Sequence, residues 1–296
     1  MVGIRILILG ATGVVGYHMA LHLKQNHEVT TASRSSSSTD YRVDATDEGQ
    51  LERLFDETKP EVVINAIKPA LSTDAMEKER ELTTLVNARI PETLAGMSSD
   101  RGFLLVQIST DWVYAGEEGK WYDERSPVSP KNHYTETKAL AEEKVRTIIP
   151  QNHLILRTEG VFGFDEKGSN IFLRLKRSAD GGKPVRLPSD QYSQPICGIE
   201  LARMAGALIG KGCRGTYNTV GPEYLSRYEF GFRVCERFGF GCALEQFSIK
   251  DRDIPVPAFL RIDTSKLAGE IGQIKSLEGQ FSDLEEFLND RAQDRG

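Results

Sequence analysis

The chain has 296 residues, of which 39% are hydrophobic and 27% charged, and its formal net charge is −6. This length and apolar content allow a large buried core and exclude a chain that is disordered throughout. A negative net charge without a basic stripe argues against nucleic-acid partners and against anionic membrane surfaces. No apolar run approaches the roughly 18 residues of a membrane span, and the first residues lack a secretory signal. We therefore expect a cytoplasmic protein that does not bind membranes.

Neither the cysteines nor the histidines near the start of the chain form a recognisable metal motif. Four cysteines lie in the second half without any Cys-x-x-Cys spacing, and we expect them to be reduced: Cys197, Cys213, Cys235 and Cys242. His18 and His22 are one helical turn apart, but no third ligand lies near them in the sequence. No metal site is predicted.

Apolar segments with strand and helix character alternate over the first half of the chain. The predicted elements are a strand over 4–9, a helix through Val15, Met19 and Leu23, a strand over 28–33, a helix over 51–57, a strand over 61–66, a long helix continuing through the charged run 77–81, a strand over 103–108, a helix over 134–147 and a strand over 154–156. This alternation predicts right-handed βαβ units in an open parallel sheet. The expected fold class is α/β, a Rossmann-type doubly wound parallel sheet with a smaller mixed α/β substrate-binding module.

The alternation becomes irregular beyond about residue 160, and no long linker separates the two halves. We predict a Rossmann domain of residues 1–160 with a return segment at about 196–220. The substrate-binding module would comprise about 161–195 and 221–296, packed directly on the first domain.

A glycine-rich turn joins the first predicted strand to the first predicted helix. Gly10, Gly13 and Gly16 form a G-x-x-G-x-x-G, with Thr12, Val14 and Val15 between them. Small residues there let the backbone approach a pyrophosphate, whose charge is favoured at a helix N-terminus. A turn without a ligand is the alternative, but the strand–turn–helix context favours a dinucleotide site.

The end of the second predicted strand indicates which dinucleotide is bound. NAD-binding enzymes usually carry an acidic residue there to bind the ribose 2′-hydroxyl. This chain instead has Arg34 and Ser35, which can bind a 2′-phosphate. We therefore predict NADP(H), with NAD(H) disfavoured; the alternative is that residues 34–38 form only a solvated loop.

A Tyr-x-x-x-Lys sequence marks the candidate catalytic site. Tyr134 and Lys138 share one face of a predicted helix, and Thr110 ends a predicted strand. A nearby ammonium lowers the pKa of a phenol, which is ordinarily near 10. In ketone reduction Tyr134 would protonate the oxygen, Thr110 would donate a hydrogen bond to it, and Lys138 would also orient the nicotinamide ribose.

These motifs together resemble the extended short-chain dehydrogenases/reductases, and within them the dTDP-4-dehydrorhamnose reductase branch. The most specific block is Ile108-Ser109-Thr110-Asp111-Trp112-Val113-Tyr114, followed by Glu124, Pro127, Pro130, Asn132 and Tyr134. Further matches extend over nearly the whole chain: 63–66, 86–88, 157–158, 161–163, 190–191, 215–217 and 263–267.

The resemblance implies an NADPH-dependent reductase of a keto group on a nucleotide-linked sugar, with Tyr134 as general acid. It implies a small-molecule partner, a nucleotide sugar, and the candidate assembly is a homodimer. Asp44 resembles the family's aspartate beside the adenine. The residues that would line the cofactor are Gly10, Thr12, Gly13, Val14, Val15, Gly16, Arg34, Ser35, Asp44, Ala66, Tyr134 and Lys138.

Two departures from the family's sequence lie on the substrate side. The family's Ser-Trp is replaced by Glu159-Gly160, and its Arg-Pro is absent from 251–257. Basic residues that could meet a diphosphate follow Asn170 on a predicted helix: Arg174, Lys176 and Arg177. Two other functions remain open. One is a non-catalytic NADP-binding scaffold, as in the regulatory subunit of methionine adenosyltransferase; the other is a nucleotide-sugar epimerase or dehydratase that recycles NAD, which the missing acidic residue disfavours.

Overall fold

The computed structural model describes residues 3–35 and 37–293, and within them thirteen strands follow one another along the chain. The strands are β1 (Arg5–Leu9), β2 (Glu28–Ser33), β3 (Tyr41–Arg42), β4 (Val62–Asn65), β5 (Leu104–Thr110), β6 (Trp121–Tyr122), β7 (His153–Thr158), β8 (Val185–Pro188), β9 (Tyr192–Ser193), β10 (Gly215–Asn218), β11 (Leu225–Ser226), β12 (Leu244–Phe247) and β13 (Arg261–Ile262). The α-helices of the same residues are α1 (Val14–Leu23), α2 (Glu48–Thr58), α3 (Thr73–Lys78), α4 (Arg80–Thr84), α5 (Ile90–Arg101), α6 (His133–Ile148), α7 (Ile171–Ala179), α8 (Gly198–Gly210), α9 (Arg227–Phe238), α10 (Ser265–Ile271) and α11 (Leu277–Gln293).

Seven parallel strands form the central sheet in the order β10-β7-β5-β4-β1-β2-β3. Its central strands are apolar on both faces because helices cover both sides, as is typical of parallel sheets. One apolar core contains residues of α1 and α8, and the other contains residues of α2, α5 and α6. The predicted α/β class and Rossmann-type sheet are confirmed. No helix in the described ranges has both the length and the apolar character of a membrane span.

The prediction of one long helix through 77–81 is wrong. Helix α3 ends at Lys78, and Glu79, with φ −96° and ψ 54°, interrupts the helical backbone before α4 begins. The Oγ1 atom of Thr83 donates to the Met76 carbonyl at 3.1 Å across this break. The charged run also has an internal role, because Glu77 accepts a 2.8 Å hydrogen bond from the backbone N–H of His133 at the start of α6.

The prediction that all four cysteines are reduced is also wrong. Cys235 and Cys242 form a disulfide, whereas Cys197 and Cys213 are free. The chain turns back after α9 because Gly239 adopts a left-handed conformation, with φ 65°. This turn brings two cysteines seven residues apart into contact, which their spacing alone did not indicate.

The second half of the chain builds a smaller group of elements against the sheet. Helices α7, α9 and α11 enclose an aromatic core that includes Phe172, Phe230 and Phe281. Strand β8 pairs with β12 in parallel, and β9 pairs with β11 antiparallel. Strand β10 returns to the sheet beside β7, so the chain passes back to the first layer before α9. The division into two domains stays a prediction.

Candidate active site

The glycine-rich turn packs closely between β1 and α1. A Cβ atom on Gly10, whose φ is +81°, would lie 2.7 Å from the Ala66 carbonyl oxygen, and one on Gly16 would lie 2.5 Å from the Gly10 carbonyl oxygen. Both glycines are therefore required by close backbone contact. Gly13 is open by comparison, since its nearest contact would be 3.7 Å away, and it starts α1 without a side-chain cap. The turn thus leaves helix N–H groups available to an anion.

Arg34 and Ser35 lie at the same edge of the sheet as this turn. Both side chains are exposed just after β2, and the Gly10 N–H donates to the Ala32 carbonyl at 3.0 Å, which joins the turn to that strand. Arg34 is therefore exposed at the edge of the sheet that carries the glycine turn, and its role toward a 2′-phosphate stays a prediction. Asp44 uses its Oδ1 atom to accept from the Thr46 backbone N–H and hydroxyl, at 3.0 and 2.8 Å. Its role beside the adenine stays a prediction.

The structure brings Thr110 and Tyr134 together. Thr110 ends β5 and Tyr134 lies in the first turn of α6, and the Thr110 hydroxyl is near enough to the phenol to oppose the rise of the Tyr134 pKa. Helix α6 starts at this point because Asn132 caps it, accepting from the Thr135 N–H at 3.1 Å. The two hydroxyls are therefore held by a strand end and a capped helix, not by flexible loops.

Lys138 lies one turn further along α6 and is almost fully buried. Its Nζ atom donates to the Ile108 carbonyl at 2.6 Å, two residues before Thr110. Burial lowers the pKa of Lys138 to about 8, with the Glu142 carboxylate opposing this shift and Lys68 adding to it. The ammonium is thus anchored to β5.

The pKa of Tyr134 is shifted opposite to the expectation from sequence. Burial raises it to about 12; the Thr110 hydroxyl opposes this, and the Asp111 and Glu159 carboxylates add to it. Burial is the largest cause of this shift, and the Lys138 ammonium donates to the Ile108 carbonyl. Tyr134 is therefore fully protonated at neutral pH, which suits a proton donor better than a base.

Two buried carboxyl groups lie beside Tyr134. Asp111 follows Thr110 directly and has no exposed surface, and Glu159 follows β7 and is 7% exposed. Glu159 forms an ion pair with Arg227, the first residue of α9. Burial, and then the Glu159 charge, raise the pKa of Asp111 well above its usual range. Sequence analysis did not assign Asp111 or Arg227 a role; the position of Asp111 after a strand-ending threonine was the available signal.

Basic residues on α7 lie next to the ion pair of Glu159 and Arg227. Arg174 on α7 is partly buried, and burial together with the charges of Arg227 and Arg177 lowers its pKa. Arg174 forms no ion pair with the carboxylates that the structure describes, whereas Lys176 is paired with Asp180. Of the basic residues on this helix, Arg174 and Arg177 are therefore the ones suited to an anionic ligand.

A π-helical turn lies next to helix α6, which carries Tyr134 and Lys138. The segment Leu85–Arg89 adopts this rare conformation between α4 and α5, and the Asn87 amide donates to the Thr137 hydroxyl on α6 at 3.2 Å. The Oδ1 atom of Asn87 is buried without a partner among the described residues. Such turns are often found at functional sites, but nothing in the local sequence predicts one.

Comparison with known proteins identifies the family of this arrangement. The model of the RmlD substrate binding domain family matches residues 4–278. A probable low-salt glycan biosynthesis reductase of Haloferax volcanii is 28% identical, over 93% of this chain and 98% of its own, and a dTDP-4-dehydrorhamnose reductase of Streptomyces griseus is 30% identical, over 78% and 76%. A dTDP-4-dehydrorhamnose reductase of Bacillus anthracis, solved in complex with NADP, shares the fold with a TM-score of 0.84 at 24% identity, over 95% of this chain and 98% of its own.

Proposed function

Because this chain belongs to the RmlD substrate binding domain family, the dTDP-4-dehydrorhamnose reductase branch of the extended short-chain dehydrogenases/reductases, we propose that it reduces a keto group on a nucleotide-linked sugar with NADPH. The observation that carries this proposal is the proximity of the Thr110 and Tyr134 hydroxyls at the edge of the sheet that also carries the glycine turn. The family and the candidate site therefore both indicate an NAD(P)-dependent oxidoreductase.

The residues of the glycine turn fit a dinucleotide. A Cβ atom would fill the space at Gly10 and Gly16, whereas Gly13 leaves the start of α1 open to a pyrophosphate. Arg34 and Ser35 would hold the 2′-phosphate, and Lys138 would hold the nicotinamide ribose. NADPH, when bound, supplies the hydride that reduces the carbonyl carbon.

The chain's own groups act on the carbonyl oxygen. Tyr134 donates its phenolic proton to that oxygen as negative charge develops there, and Thr110 donates a hydrogen bond to the same atom. The raised pKa of Tyr134 keeps the proton available at neutral pH. Thr110 and Lys138 are buried and Tyr134 is partly buried, which limits the water around the carbonyl oxygen and strengthens these interactions.

The substrate's diphosphate is assigned to the basic residues of α7. Arg177 and Arg227 are close enough to Arg174 for their charges to lower its pKa, and of the three only Arg227 is paired within the described residues, with Glu159, so an anion beside Arg174 and Arg177 would relieve the repulsion. A guanidinium can bind phosphate oxygens through two parallel hydrogen bonds. The sugar would then lie between this helix and Tyr134.

The test is a thermal-shift screen of the NADPH-loaded protein with nucleotide sugars, followed by NADPH oxidation with keto forms of the sugars that bind. A ligand specific to the native state stabilises it by about 2.7 kcal/mol at a hundredfold excess over its Kd. Oxidation of NADPH with at least one keto sugar is the expected result. Binding of several sugars with turnover of none would instead favour the scaffold alternative. Catalytic recycling of tightly bound NAD would favour an epimerase or dehydratase.

We predict that the unmodified protein binds NADPH at least tenfold more tightly than NADH, since charge-assisted hydrogen bonds to a phosphate contribute about 1.5–3 kcal/mol. Arg34→Asp should reverse the preference, because the new carboxylate repels the phosphate and accepts from a 2′-hydroxyl. Fluorescence titration measures both affinities. Arg186→Asp, on the exposed face of β8, is the matched control and should leave the ratio unchanged. Equal affinities for the two cofactors in the unmodified protein would contradict the assignment.

A further inference from the structure

The loop that follows β7 reaches across the sheet to the segment after β2. Residues 163–168 of this loop form a strap, and the Ser38 hydroxyl donates to the carboxylate of its Glu166, with 2.7 Å to each oxygen. In the sheet, β2 is four strands away from β7, a distance of about 19 Å at roughly 4.8 Å per strand. The loop therefore extends along the carboxyl edge of the sheet, where folds of this class bind their ligands.

The strap has a defined internal structure. The carboxylate of Asp165, which is 4% exposed, accepts from the Gly168 N–H and, at 2.8 Å, from the Asn170 amide. The ring of Phe164 packs against Tyr17 in the first turn of α1, with 5.2 Å between the ring centroids. The strap is thus held against the start of α1, where the glycine turn leaves backbone N–H groups available.

The path of the strap passes the carboxyl end of β1. The charges of Asp165 and Lys167 both act on Lys68, which follows β4. The next contact of the strap, between Glu166 and Ser38, lies after β2. Since β1 lies between β4 and β2 in the sheet, the strap runs past the glycine turn at the end of β1. This turn is the segment that holds the pyrophosphate of a dinucleotide in such folds.

Lys68 follows the backbone that packs against the glycine turn. The Ala66 carbonyl oxygen and the Ile67 nitrogen would lie 2.7 and 2.9 Å from a Cβ atom on Gly10. Lys68 keeps exposed surface, yet the surrounding protein desolvates its ammonium and lowers its pKa, and the charge of Lys167 adds to this shift. A side chain that is accessible to solvent but surrounded by protein lies in a cleft. Lys68 therefore lines a cleft beside the glycine turn.

Positive charge is in excess in this cleft. The side chains of Lys68 and Lys167 form no ion pair or hydrogen bond with the residues that the structure describes. The Asp165 carboxylate opposes the lowered pKa of Lys68, but both of its oxygens already accept from groups of its own loop. Lys138 contributes a third ammonium, whose pKa is lowered by its burial and also by the charge of Lys68. A bound anion would offset the repulsion among these cations.

We propose that Lys68 and Lys167 bind the pyrophosphate of the dinucleotide, with the strap lying over it. The inference rests on the proposed function, because it needs NADPH to occupy the glycine turn. Each phosphate carries a negative charge, so two ammonium groups match the pyrophosphate, in addition to the N–H groups at the start of α1. Neither lysine belongs to the glycine turn, and Lys167 comes from the second half of the chain. Bound cofactor would therefore join the strap to the sheet.

The test measures the Kd of NADPH and of NADH by fluorescence titration in variants that lack one or both ammonium groups. Lys68→Met and Lys167→Met should each weaken NADPH binding about tenfold, and the double variant about 100-fold, as expected for charge-assisted contacts to phosphate. NADH should weaken by the same factors because it carries the same pyrophosphate, so the preference for NADPH should stay unchanged. The Kd of dTDP, which probes the proposed substrate side, should also stay unchanged.

Lys183→Met is the matched control, since Lys183 is exposed between α7 and β8, away from the strap, and its change should alter no affinity. The urea midpoint of the lysine variants should not fall, because Lys68 and Lys167 repel one another in the free protein. A lowered midpoint would indicate a structural role and contradict the inference.

The remaining outcomes separate this inference from the cofactor assignment. Unchanged NADPH affinity in the double variant would overturn the inference and leave the cofactor assignment standing. A loss for NADPH but not NADH would assign the lysines to the 2′-phosphate, and a loss for dTDP would assign them to the substrate's diphosphate; either result overturns the inference. Absence of dinucleotide binding to the unmodified protein would overturn the proposed function as well.

Discussion

Replacing Tyr134 by phenylalanine is expected to lower turnover of a keto sugar by about 10²- to 10⁴-fold, the usual contribution of a positioned general acid. The phenol hydroxyl acts mainly in the transition state, so NADPH affinity should stay within about twofold of the unmodified protein. Phenylalanine keeps the ring that packs edge-on against Trp112, with 6.2 Å between the ring centroids. The loss should therefore appear in kcat and not in stability. Stopped-flow or steady-state measurement of NADPH oxidation gives kcat.

Tyr228→Phe is the matched control for this variant. Tyr228 packs against the aromatic core of the second half of the chain, and its hydroxyl has no part in the proposed chemistry. Its loss should leave kcat and NADPH affinity unchanged. Wild-type turnover by Tyr134→Phe on an identified substrate would show that another group protonates the carbonyl oxygen. In that case Asp111, the buried carboxyl group nearby whose pKa is raised, would be the next candidate.

The layered sheet could be predicted from the sequence because its strands carry an unambiguous local signal. The segments that became β1, β4 and β7 are short apolar runs bounded by turns, and the parallel sheet buries both of their faces. The glycine turn and the Tyr134–Lys138 spacing are equally local, since each depends on residues within one turn or one helix. Such local signals can be recognised without knowledge of the rest of the fold.

The features that the sequence did not reveal depend on contacts between distant segments. The break at Glu79 accompanies hydrogen bonds to residues on α6, and the Cys235–Cys242 disulfide depends on a left-handed turn. The direction of the Tyr134 pKa shift depends on Glu159, 25 positions further along the chain, which meets Asp111 only after β5 and β7 pair. Electrostatics at this site is therefore a property of the assembled sheet.

The buried ion pair between Arg157 and Glu142 should dominate the stability of this region. The guanidinium of Arg157 donates to Glu142 at 2.6–3.2 Å and to the Tyr114 hydroxyl at 2.7 Å, and both partners of the ion pair are at most 2% exposed. Removal of one partner of such a pair leaves an uncompensated buried charge and costs about 3–5 kcal/mol. Arg157→Met is therefore expected to lower the free energy of unfolding by that amount, measured as a shift in the urea midpoint.

The pH dependence of that loss follows from the pKa of Glu142. Burial opposes its ionisation, but hydrogen bonds and charge from Arg157, with help from Ser109 and Arg146, hold the pKa of this carboxyl below its ordinary value. A carboxyl with a lowered pKa stabilises the folded state fully above the unfolded pKa of about 4.3 and loses this contribution as the pH falls through the folded value. The difference between the unmodified protein and Arg157→Met should thus be largest near neutral pH and shrink as the pH falls, because Glu142 without Arg157 is protonated at a higher pH than Glu142 in the unmodified protein.

Two further variants distinguish the effect of breaking the buried ion pair from the effect of replacing an arginine. Arg125→Met breaks a pair with Asp123 in which the arginine side chain is 92% exposed, so it should leave the urea midpoint unchanged. Arg157→Met/Glu142→Leu removes both buried charges and should recover much of the stability lost in Arg157→Met, because the penalty comes from the unpaired carboxylate. If the double variant were less stable than Arg157→Met at neutral pH, the carboxylate would not be the source of the penalty, and the hydrogen bonds of Glu142 to Ser109 and Arg146 would be the stabilising contacts.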